Sequence, residues 1–262
     1  MKGWLRRLMR SPTGERSADS ERTLDQEDFP ARREPESVTS HQGTREPPDI
    51  PGGKILFFDT ETTGLHSTDR IVSFAGILLD PSGLANGEFR MDGCHFVFDP
   101  GRKSHPRAAE VHGFSDWFLR HQEPFSAHVG TIEAMFSGAS LAVAHNAAFD
   151  ADFVAREFID CGREPPTTPL FCTMQAWRDV VGGRSSLSAV CATLGLERCG
   201  QHHGAMEDAY LAMMVYLSLR GGGLMFPFEQ MGRLANPTNV QDVPPLPDGP
   251  LPRRKRRKTA TA

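Results

Sequence analysis

The order of the predicted strands and helices constrains the fold of this chain more than any other sequence feature. Three apolar, strand-like runs come first, at residues 54–59, 70–79 and 94–98, and the last two close with the turn sequences Asp-Pro-Ser-Gly and Asp-Pro-Gly. Strand-like runs at 140–145 and 170–172 then alternate with helical patterns at 148–161, 173–181, 186–194 and 205–219. Because such alternation implies parallel crossovers, the pattern predicts an α/β fold. Strands 1–3 of its mixed sheet are antiparallel, strands 4–5 are parallel, and helices flank the sheet.

Polar segments flank this region on both sides. Residues 11–53 are charged, contain six prolines and have few aliphatic residues, which is typical of disordered chain. Residues 1–10 have two open interpretations, a frayed tail or a short amphipathic docking helix. The segment after residue 236 is rich in proline and ends in six consecutive basic residues, 253–258. We therefore predict a disordered segment at 1–53, one folded domain at 54–222, and a Pro-rich linker with a basic tail at 223–262.

The charge is divided unevenly between these segments. The net charge of −4 separates into −1 for residues 1–53, −7 for 54–236 and +4 for 237–262. A mildly acidic total would argue against a nucleic-acid partner only if the charge were uniform. The basic run at 253–258 is either a solubilising end or a phosphate-contacting or nuclear-targeting patch.

Cysteine usage and hydropathy indicate the compartment. The five cysteines are odd in number and never spaced as C-x-x-C, so neither a disulfide framework nor a zinc site is suggested. No apolar stretch reaches the length of a signal peptide core or a membrane span. These features predict a protein of the reducing cytoplasm without a transmembrane segment.

Two acidic residues end the first predicted strand. If the strand continues through residue 61, the carboxylates of Asp59 and Glu61 are expected to project together, because residues two apart on a strand point to the same face. Crowded carboxylates raise each other's pKa unless a cation lies between them, and hard oxygen ligands suit Mg²⁺ or Mn²⁺. Alone, this pair is also common on protein surfaces.

Two further motifs lie where predicted helices begin. In His145-Asn-Ala-Ala-Phe-Asp150, Asn146 is a plausible helix cap and Asp150 falls in the first turns. In His203-Gly-Ala-Met-Glu-Asp208, the spacing of five brings the ends of His203 and Asp208 within reach of one cavity. Taken alone, Asp150 is typical of an ordinary helix start, and His203 and Asp208 could equally be a cap and a helix-dipole partner. Glu207 is expected to face solvent.

Together the three motifs resemble the DEDDh family of 3′-to-5′ exonucleases, which has a ribonuclease H-like fold. The family's four acids and its histidine correspond to Asp59, Glu61, Asp150, Asp208 and His203, in the expected order. Within that family the chain is similar to the epsilon-type proofreading subunits of bacterial DNA polymerase III. That similarity includes the runs Ala109-Glu-Val-His-Gly113 and Gly183-Arg-Ser-Ser-Leu-Ser-Ala-Val-Cys191, and it covers about residues 54–222.

The resemblance implies a mechanism and a set of roles. The four acids would hold two Mg²⁺ or Mn²⁺ ions, and His203 would be the general base for the attacking water. Thr62, Leu65, His145 and Asn146 would contact the substrate, with Leu65 wedged under the last base. Phe149 is expected in the core rather than in that pocket. The expected substrate is a single-stranded or frayed DNA 3′ end, cleaved to nucleoside monophosphates.

Three questions remain open at this point. The chain could instead trim RNA ends, since family members differ in how they treat the 2′-hydroxyl, or it could act mainly as an accessory module. A contact with the polymerase catalytic subunit or the sliding clamp would use residues 221–262. There Leu224, Met225, Phe226 and Phe228 form an apolar cluster that either docks in a groove or folds back on the domain, and no glutamine opens it as clamp peptides usually require.

Overall fold

The computed structural model describes residues 52–82, 90–198, 204–221 and 228–254. The predictions for residues 1–51, for His203 and for the cluster at 224–226 lie outside them, as does the Phe228 side chain. The strands are β1 (Ile55–Thr62), β2 (Ile71–Asp80), β3 (Arg90–Val97), β4 (Leu141–Ala144) and β5 (Leu170–Cys172). The helices are α1 (Pro106–His112), α2 (Asp116–Leu119), α3 (Val129–Ser137), α4 (Ala147–Asp160), α5 (Thr173–Val180), α6 (Leu187–Leu194) and α7 (Ala205–Leu219). Short 3₁₀ segments cover Phe125–Ala127 and Phe228–Ala235.

The five strands form one mixed sheet in the order β3-β2-β1-β4-β5. Strands β1, β2 and β3 pair antiparallel, whereas β1 with β4 and β4 with β5 pair parallel. The predicted fold class is therefore confirmed. The parallel pairing of β1 with β4 covers only residues 55–57 of β1, so the second half of β1 extends past the end of β4. This extension carries the first acidic motif.

The two faces of the sheet are buried against different helices. Alternate β1 residues such as Ile55 and Phe57 pack with α7, where Tyr216 contacts Phe57 with ring centroids 5.5 Å apart. The other residues, such as Leu56 and Phe58, pack against α3 and α4. Helix α7 is buried along nearly its whole length, because α5 and α6 cover the side of α7 that faces away from the sheet. Among the described helices, none is long and apolar enough to cross a membrane.

The segment 236–254, called the strap below, lies against the domain. The side chain of Asn239 accepts from the Val97 backbone N–H at 2.9 Å and donates to the Val97 carbonyl at 2.7 Å. The Nε1 of Trp117 donates to the Pro244 carbonyl at 2.8 Å. These residues of the predicted Pro-rich linker therefore lie against the domain, where a few polar side chains and exposed carbonyls fasten them to β3 and α2.

The basic residue at the end of the strap is also paired. Arg254 donates to the carboxylate of Asp116 from Nε at 2.9 Å and from Nη2 at 2.7 Å, and it forms a second ion pair with Asp99. All three side chains are at most 15% exposed. At least this member of the basic run 253–258 therefore contacts the protein itself.

Candidate active site

Asp59 and Glu61 lie on one face of β1, as their spacing predicted. Their antiparallel partners on β2 are Ala75 and Ser73, and the register shifts immediately after Glu61. This is the face that packs against α7. Glu61 is 8% exposed and Asp59 is half-buried, so both carboxylates lie at the rim of the core.

Asp208 completes a cluster with these two residues. It lies in the first turn of α7, where its backbone N–H donates to the Gly204 carbonyl at 2.9 Å. Carboxylate oxygens of Asp59, Glu61 and Asp208 all lie within 4.8 Å of one another. The structure thus brings together three of the four predicted metal ligands from residues 149 positions apart in the chain.

The fourth acid, Asp150, approaches from the first turn of α4. Its Oδ1 accepts from the Thr60 backbone N–H at 2.9 Å and from the Thr60 hydroxyl at 2.7 Å. Thr60 lies on the part of β1 that extends past β4, so Asp150 supplies the acceptor that a neighbouring strand would otherwise provide. Asp150 is 3% exposed. No sequence pattern indicated this role of Thr60.

Burial and like charges raise the pKa values of two of these acids. Burial, followed by the charges of Asp150, Asp208 and Glu61, raises the pKa of Asp59 well above its ordinary value. Burial also raises the pKa of Asp150 to about 7, although the hydrogen bonds from Thr60 act in the opposite direction. The charged forms of Asp59 and Asp150 are therefore disfavoured, because the protein's own groups do not fully neutralise these carboxylates.

This chemistry fits a divalent cation. The donors are hard oxygen atoms, they converge within a few ångströms, and the raised pKa values show that a positive charge would relieve them. The cluster can therefore hold a metal ion. Asp150 adjoins the three clustered carboxylates closely enough for its charge to affect Asp59.

A basic residue absent from the predictions contacts this cluster. Arg198, between α6 and α7, pairs with both carboxylate oxygens of Asp208, through Nη1 to Oδ1 and through Nη2 to Oδ2 at 3.2 Å. Its Nη1 also lies 4.0 Å from the Glu207 carboxylate. The expectation that Glu207 faces solvent is wrong, because Glu207 is 8% exposed and turns toward Arg198 instead.

A tight loop follows the β1 acids. The hydroxyl of Thr62 donates to the Gly64 carbonyl at 2.7 Å, and Thr63 donates to Asp69 at 2.8 Å. A Cβ on Gly64 would come within 2.5 Å of the Asp69 carboxylate, which explains the glycine at this position. Leu65, four residues after Glu61, is 81% exposed, whereas Thr62 is 8% exposed. The predicted contacts of Thr62 and Leu65 with the substrate stay predictions.

The second motif turns sharply from β4 into α4. Asn146 occupies the N-cap position but has φ of 69°, and its side chain makes no capping hydrogen bond, contrary to the expected cap. Asparagine tolerates this left-handed backbone better than most residues, and this conformation makes the tight turn possible. Phe149 packs against Phe153 and the core beneath, as expected.

His145 links three parts of the domain. Its Nε2 lies 2.8 Å from the Ser185 carbonyl and its Nδ1 lies 2.9 Å from the Thr173 hydroxyl. Because a carbonyl only accepts, Nε2 carries the proton and Nδ1 accepts from Thr173 when the ring is neutral. Burial lowers the pKa of His145, which favours that neutral form. Its predicted role in substrate binding stays a prediction.

Comparisons with known proteins agree with this geometry. The family model for exonucleases of the RNase_T type matches residues 56–216. The chain belongs to this exonuclease family. DNA polymerase III subunit epsilon of Escherichia coli is 31% identical over 189 residues, 68% of this chain and 75% of that protein. The same subunit of Rickettsia prowazekii is 31% identical over 175 residues, 64% of this chain and 74% of that protein.

Solved structures share the fold at lower sequence identity. Apo exonuclease I superposes with a TM-score of 0.54 at 20% identity, over 65% of this chain and 43% of the other. Escherichia coli exonuclease I with a dT13 oligonucleotide also gives 0.54 at 20% identity, over 64% and 41%. The chain therefore spans less than half of exonuclease I. Taken with the family match, the exonuclease has the predicted ribonuclease H-like fold and is an enzyme of the 3′-to-5′ type.

Proposed function

We propose that this exonuclease hydrolyses DNA from single-stranded or frayed 3′ ends, releasing nucleoside monophosphates during proofreading or repair. The observation that carries the proposal is the convergence of Asp59, Glu61 and Asp208 within 4.8 Å, with Asp150 beside them. The DNA substrate is supported by the identity of about 30% to proteins named as DNA polymerase III subunits. A cytoplasmic location stays a prediction.

The residues divide the work of hydrolysis between them. Asp59, Glu61, Asp150 and Asp208 would hold two Mg²⁺ or Mn²⁺ ions, which supply Lewis acidity for the attacking water and the leaving 3′-oxygen. His203, five residues before Asp208, would accept the proton from that water, since imidazole titrates near neutral pH. Thr62, Leu65, His145 and Asn146 would position the terminal nucleotide.

A matched pair of variants on α4 tests the catalytic assignment. Asp150→Asn removes a proposed ligand, whereas Asp152→Asn removes the charge of an exposed carboxylate that pairs with Arg156 on the same helix. With a 5′-labelled single strand and Mg²⁺ or Mn²⁺, we expect Asp150→Asn to lose at least roughly 100-fold in rate and Asp152→Asn to keep it. Equal rates for the two variants would defeat the assignment.

The general base and the pocket need separate tests. His203→Ala should lower turnover by roughly 100-fold while Mn²⁺ binding is retained; if turnover hardly changes, His203 is structural. Leu65→Ala should raise KM for the single strand without changing the melting temperature, because this side chain is 81% exposed. Ile159→Ala, another exposed apolar residue, is the control.

The nature of the nucleic acid is tested side by side. DNA and RNA strands of the same sequence and label are degraded under the same conditions, and we expect the DNA strand to be degraded faster. A faster reaction on RNA would instead assign the enzyme to RNA trimming. A phosphorothioate at the last 3′ linkage should block degradation of the DNA strand, which checks the direction of attack.

We also propose that residues 221–262 mediate contact with a polymerase subunit or a sliding clamp. The strap contacts β3 and α2, so deletion of the whole segment would damage the domain as well. Serine substitutions at Leu224, Met225 and Phe226, and separately removal of residues 255–262, change the segment on either side of the strap. Co-purification of a replicative polymerase with the intact chain but not with either variant is the expected result. Undiminished co-purification with both would refute this contact.

A further inference from the structure

The contact between Arg198 and Asp208 places a fixed positive charge inside the candidate metal site. Arg198 is 18% exposed and Asp208 is 9% exposed at the side chain, so water screens the pair little. The guanidinium uses two nitrogens and reaches both carboxylate oxygens. Its charge also acts on Asp59, whose pKa it lowers against the larger effects of burial and the other acids. Arg198 is therefore oriented toward the cluster rather than toward solvent.

The same oxygens are the ones that a metal ion needs. A carboxylate offers about four lone-pair positions, and a bidentate guanidinium occupies one on each oxygen. An oxygen of Asp208 lies within 4.8 Å of oxygens of Asp59 and Glu61, so a divalent cation bound there would lie close to the guanidinium. The two cations would repel each other and share one acceptor.

We propose that Arg198 is an internal counter-ion that competes with the divalent ion for Asp208. Without the ion, Arg198 neutralises Asp208, and when the ion binds, Arg198 releases at least one carboxylate oxygen. This inference rests on the proposed metal-dependent function of the same site. The need to break the contact between Arg198 and Asp208 would weaken the binding of the metal ion. This effect cannot be seen from the four proposed ligands alone, and it belongs to one residue, Arg198.

The position of Arg198 in the chain links this exchange to the remaining chemistry. Arg198 follows α6, which ends at Leu194, and precedes α7, which begins at Ala205. The proposed base His203 lies five residues further along the same connection. The residue displaced by the ion and the residue that accepts the proton are thus joined by a short stretch of backbone.

Metal affinity tests the proposal directly. Mn²⁺ binding to the full chain is measured by electron paramagnetic resonance of the free ion, without nucleic acid, for the unchanged protein and for Arg198→Gln and Arg198→Lys. We expect Arg198→Gln to bind Mn²⁺ about tenfold more tightly, a change of the size seen for groups that adjoin metal ligands. Arg198→Lys should lie between the two, because lysine keeps the charge but not the two-pronged contact.

Arg178→Gln is the matched control. It removes the same charge from an exposed arginine on α5, whose Nε donates to the Ser185 hydroxyl at 2.6 Å. We expect its Mn²⁺ affinity to stay within about twofold of the unchanged protein. An equal gain for Arg178→Gln and Arg198→Gln would show a general field effect and overturn the proposal.

The remaining outcomes are distinguishable. If the unchanged protein binds Mn²⁺ and degrades DNA while Arg198→Gln and Arg198→Lys bind the ion no more tightly, the competition is refuted and the proposed function stands. If the unchanged protein neither binds Mn²⁺ nor degrades DNA, the proposed function fails first. Should Arg198→Gln fail to fold by circular dichroism, Arg198→Lys alone decides, with any gain in affinity supporting the competition.

Discussion

The side chain of Asp150 closes the open end of β1 by accepting two hydrogen bonds from Thr60, one from its backbone N–H and one from its hydroxyl. The two residues are 90 positions apart. The contact joins the first strand to the start of α4 at the point where β4 has ended. One carboxylate thus serves both the fold and the candidate site, and its removal has two separable effects.

Asp150→Asn should make the metal-free protein more stable while abolishing its activity. The amide oxygen can still accept from Thr60, but the charge that burial disfavours is gone. At pH 8 in the presence of EDTA we expect the free energy of unfolding to rise by at least roughly 1 kcal/mol, because the pKa of Asp150 is raised in the folded state. Urea unfolding checks this, and Asp152→Asn should change it by less than about 0.5 kcal/mol. A less stable Asp150→Asn protein would contradict the expectation.

Glu157→Ala should destabilise the domain, because Glu157 ties α4 to the start of β2. Its carboxylate accepts from Arg70 Nε at 2.7 Å and from the Ile71 backbone N–H at 3.1 Å, and it is 3% exposed. We expect a loss of about 2 kcal/mol in urea unfolding, since a buried acceptor disappears and a backbone donor is left unpaired. Asp160→Asn, which affects the 55% exposed partner of Arg70, should cost less than about 0.5 kcal/mol. Similar losses of unfolding free energy for both variants would show that the buried contact of Glu157 stabilises the domain no more than the exposed pair does.

Asn239→Ala tests whether the strap supports the sheet. Strand β3 is an edge strand, and the Asn239 amide pairs with both backbone groups of Val97 there. Alanine would leave a buried N–H and carbonyl unpaired, so we expect a loss of about 1 to 2 kcal/mol in the free energy of unfolding. The control is Leu246→Ala on the same strap, at a side chain 68% exposed. Urea unfolding measures the change. An unchanged midpoint for Asn239→Ala would mean that the contact between Asn239 and β3 does not stabilise the domain.

His95 should make the domain sensitive to acid. Burial lowers the pKa of His95 from 6.5 to about 4, partly offset by the carbonyls of Leu234 and Ala235. Between these values the unfolded chain binds a proton that the folded protein excludes, so stability falls as pH decreases from about 6.5 to 4. The expected loss is about 3 kcal/mol.

The matched variant isolates that contribution from other titrating groups. His95→Gln cannot titrate in this range, so the difference in unfolding free energy between it and the unchanged protein should shrink as pH falls through the same window. Urea unfolding at several pH values between 4 and 8 measures the difference. A difference that is independent of pH would show that His95 is protonated equally in both states.

Local patterns predicted those parts of the fold that depend on neighbouring residues. The apolar run of β1, the turn after β4 and the apolar length of α7 were all visible in the sequence, and α7 begins and ends at the predicted residues. Asp59 and Glu61 share a face because of strand geometry alone. The prediction that Asp208 and Asp150 lie in the same site required the family resemblance. The number of residues between two motifs does not tell how far apart they lie in the folded protein.

Three helices between β3 and β4 were missed, although signals for them exist. Proline opens α1, and the Ser115 hydroxyl accepts from the Phe118 backbone N–H to cap α2. Helix α3 buries Val129, Ile132 and Phe136, at intervals of three and four. The first two helices are short, so weak periodicity concealed them, whereas α3 could have been found from its spacing.

The contacts that were not predicted all join residues from different elements or connections of the fold. Arg198 reaches Asp208 through the packing of two helices, and Thr60 meets Asp150 only because β4 is shorter than β1. The strap has the composition of free chain, yet it is held by backbone carbonyls and single side chains, which composition does not reveal. The pattern of apolar residues predicts which helices and strands pack together, but it does not indicate polar contacts such as these.

The anchored strap shortens the tether of the remaining basic residues. Counted from residue 236, Lys258 would have a reach of about 75 Å, but counted from Arg254 it has about 14 Å, at the usual extension per residue. Asp99, which pairs with Arg254, lies two residues after the end of β3. Strands β1 and β3 run in the same direction, so Asp99 lies at the end of the sheet where β1 also ends. Arg254 thereby holds the start of the basic run at the same end of the sheet as the acids of β1.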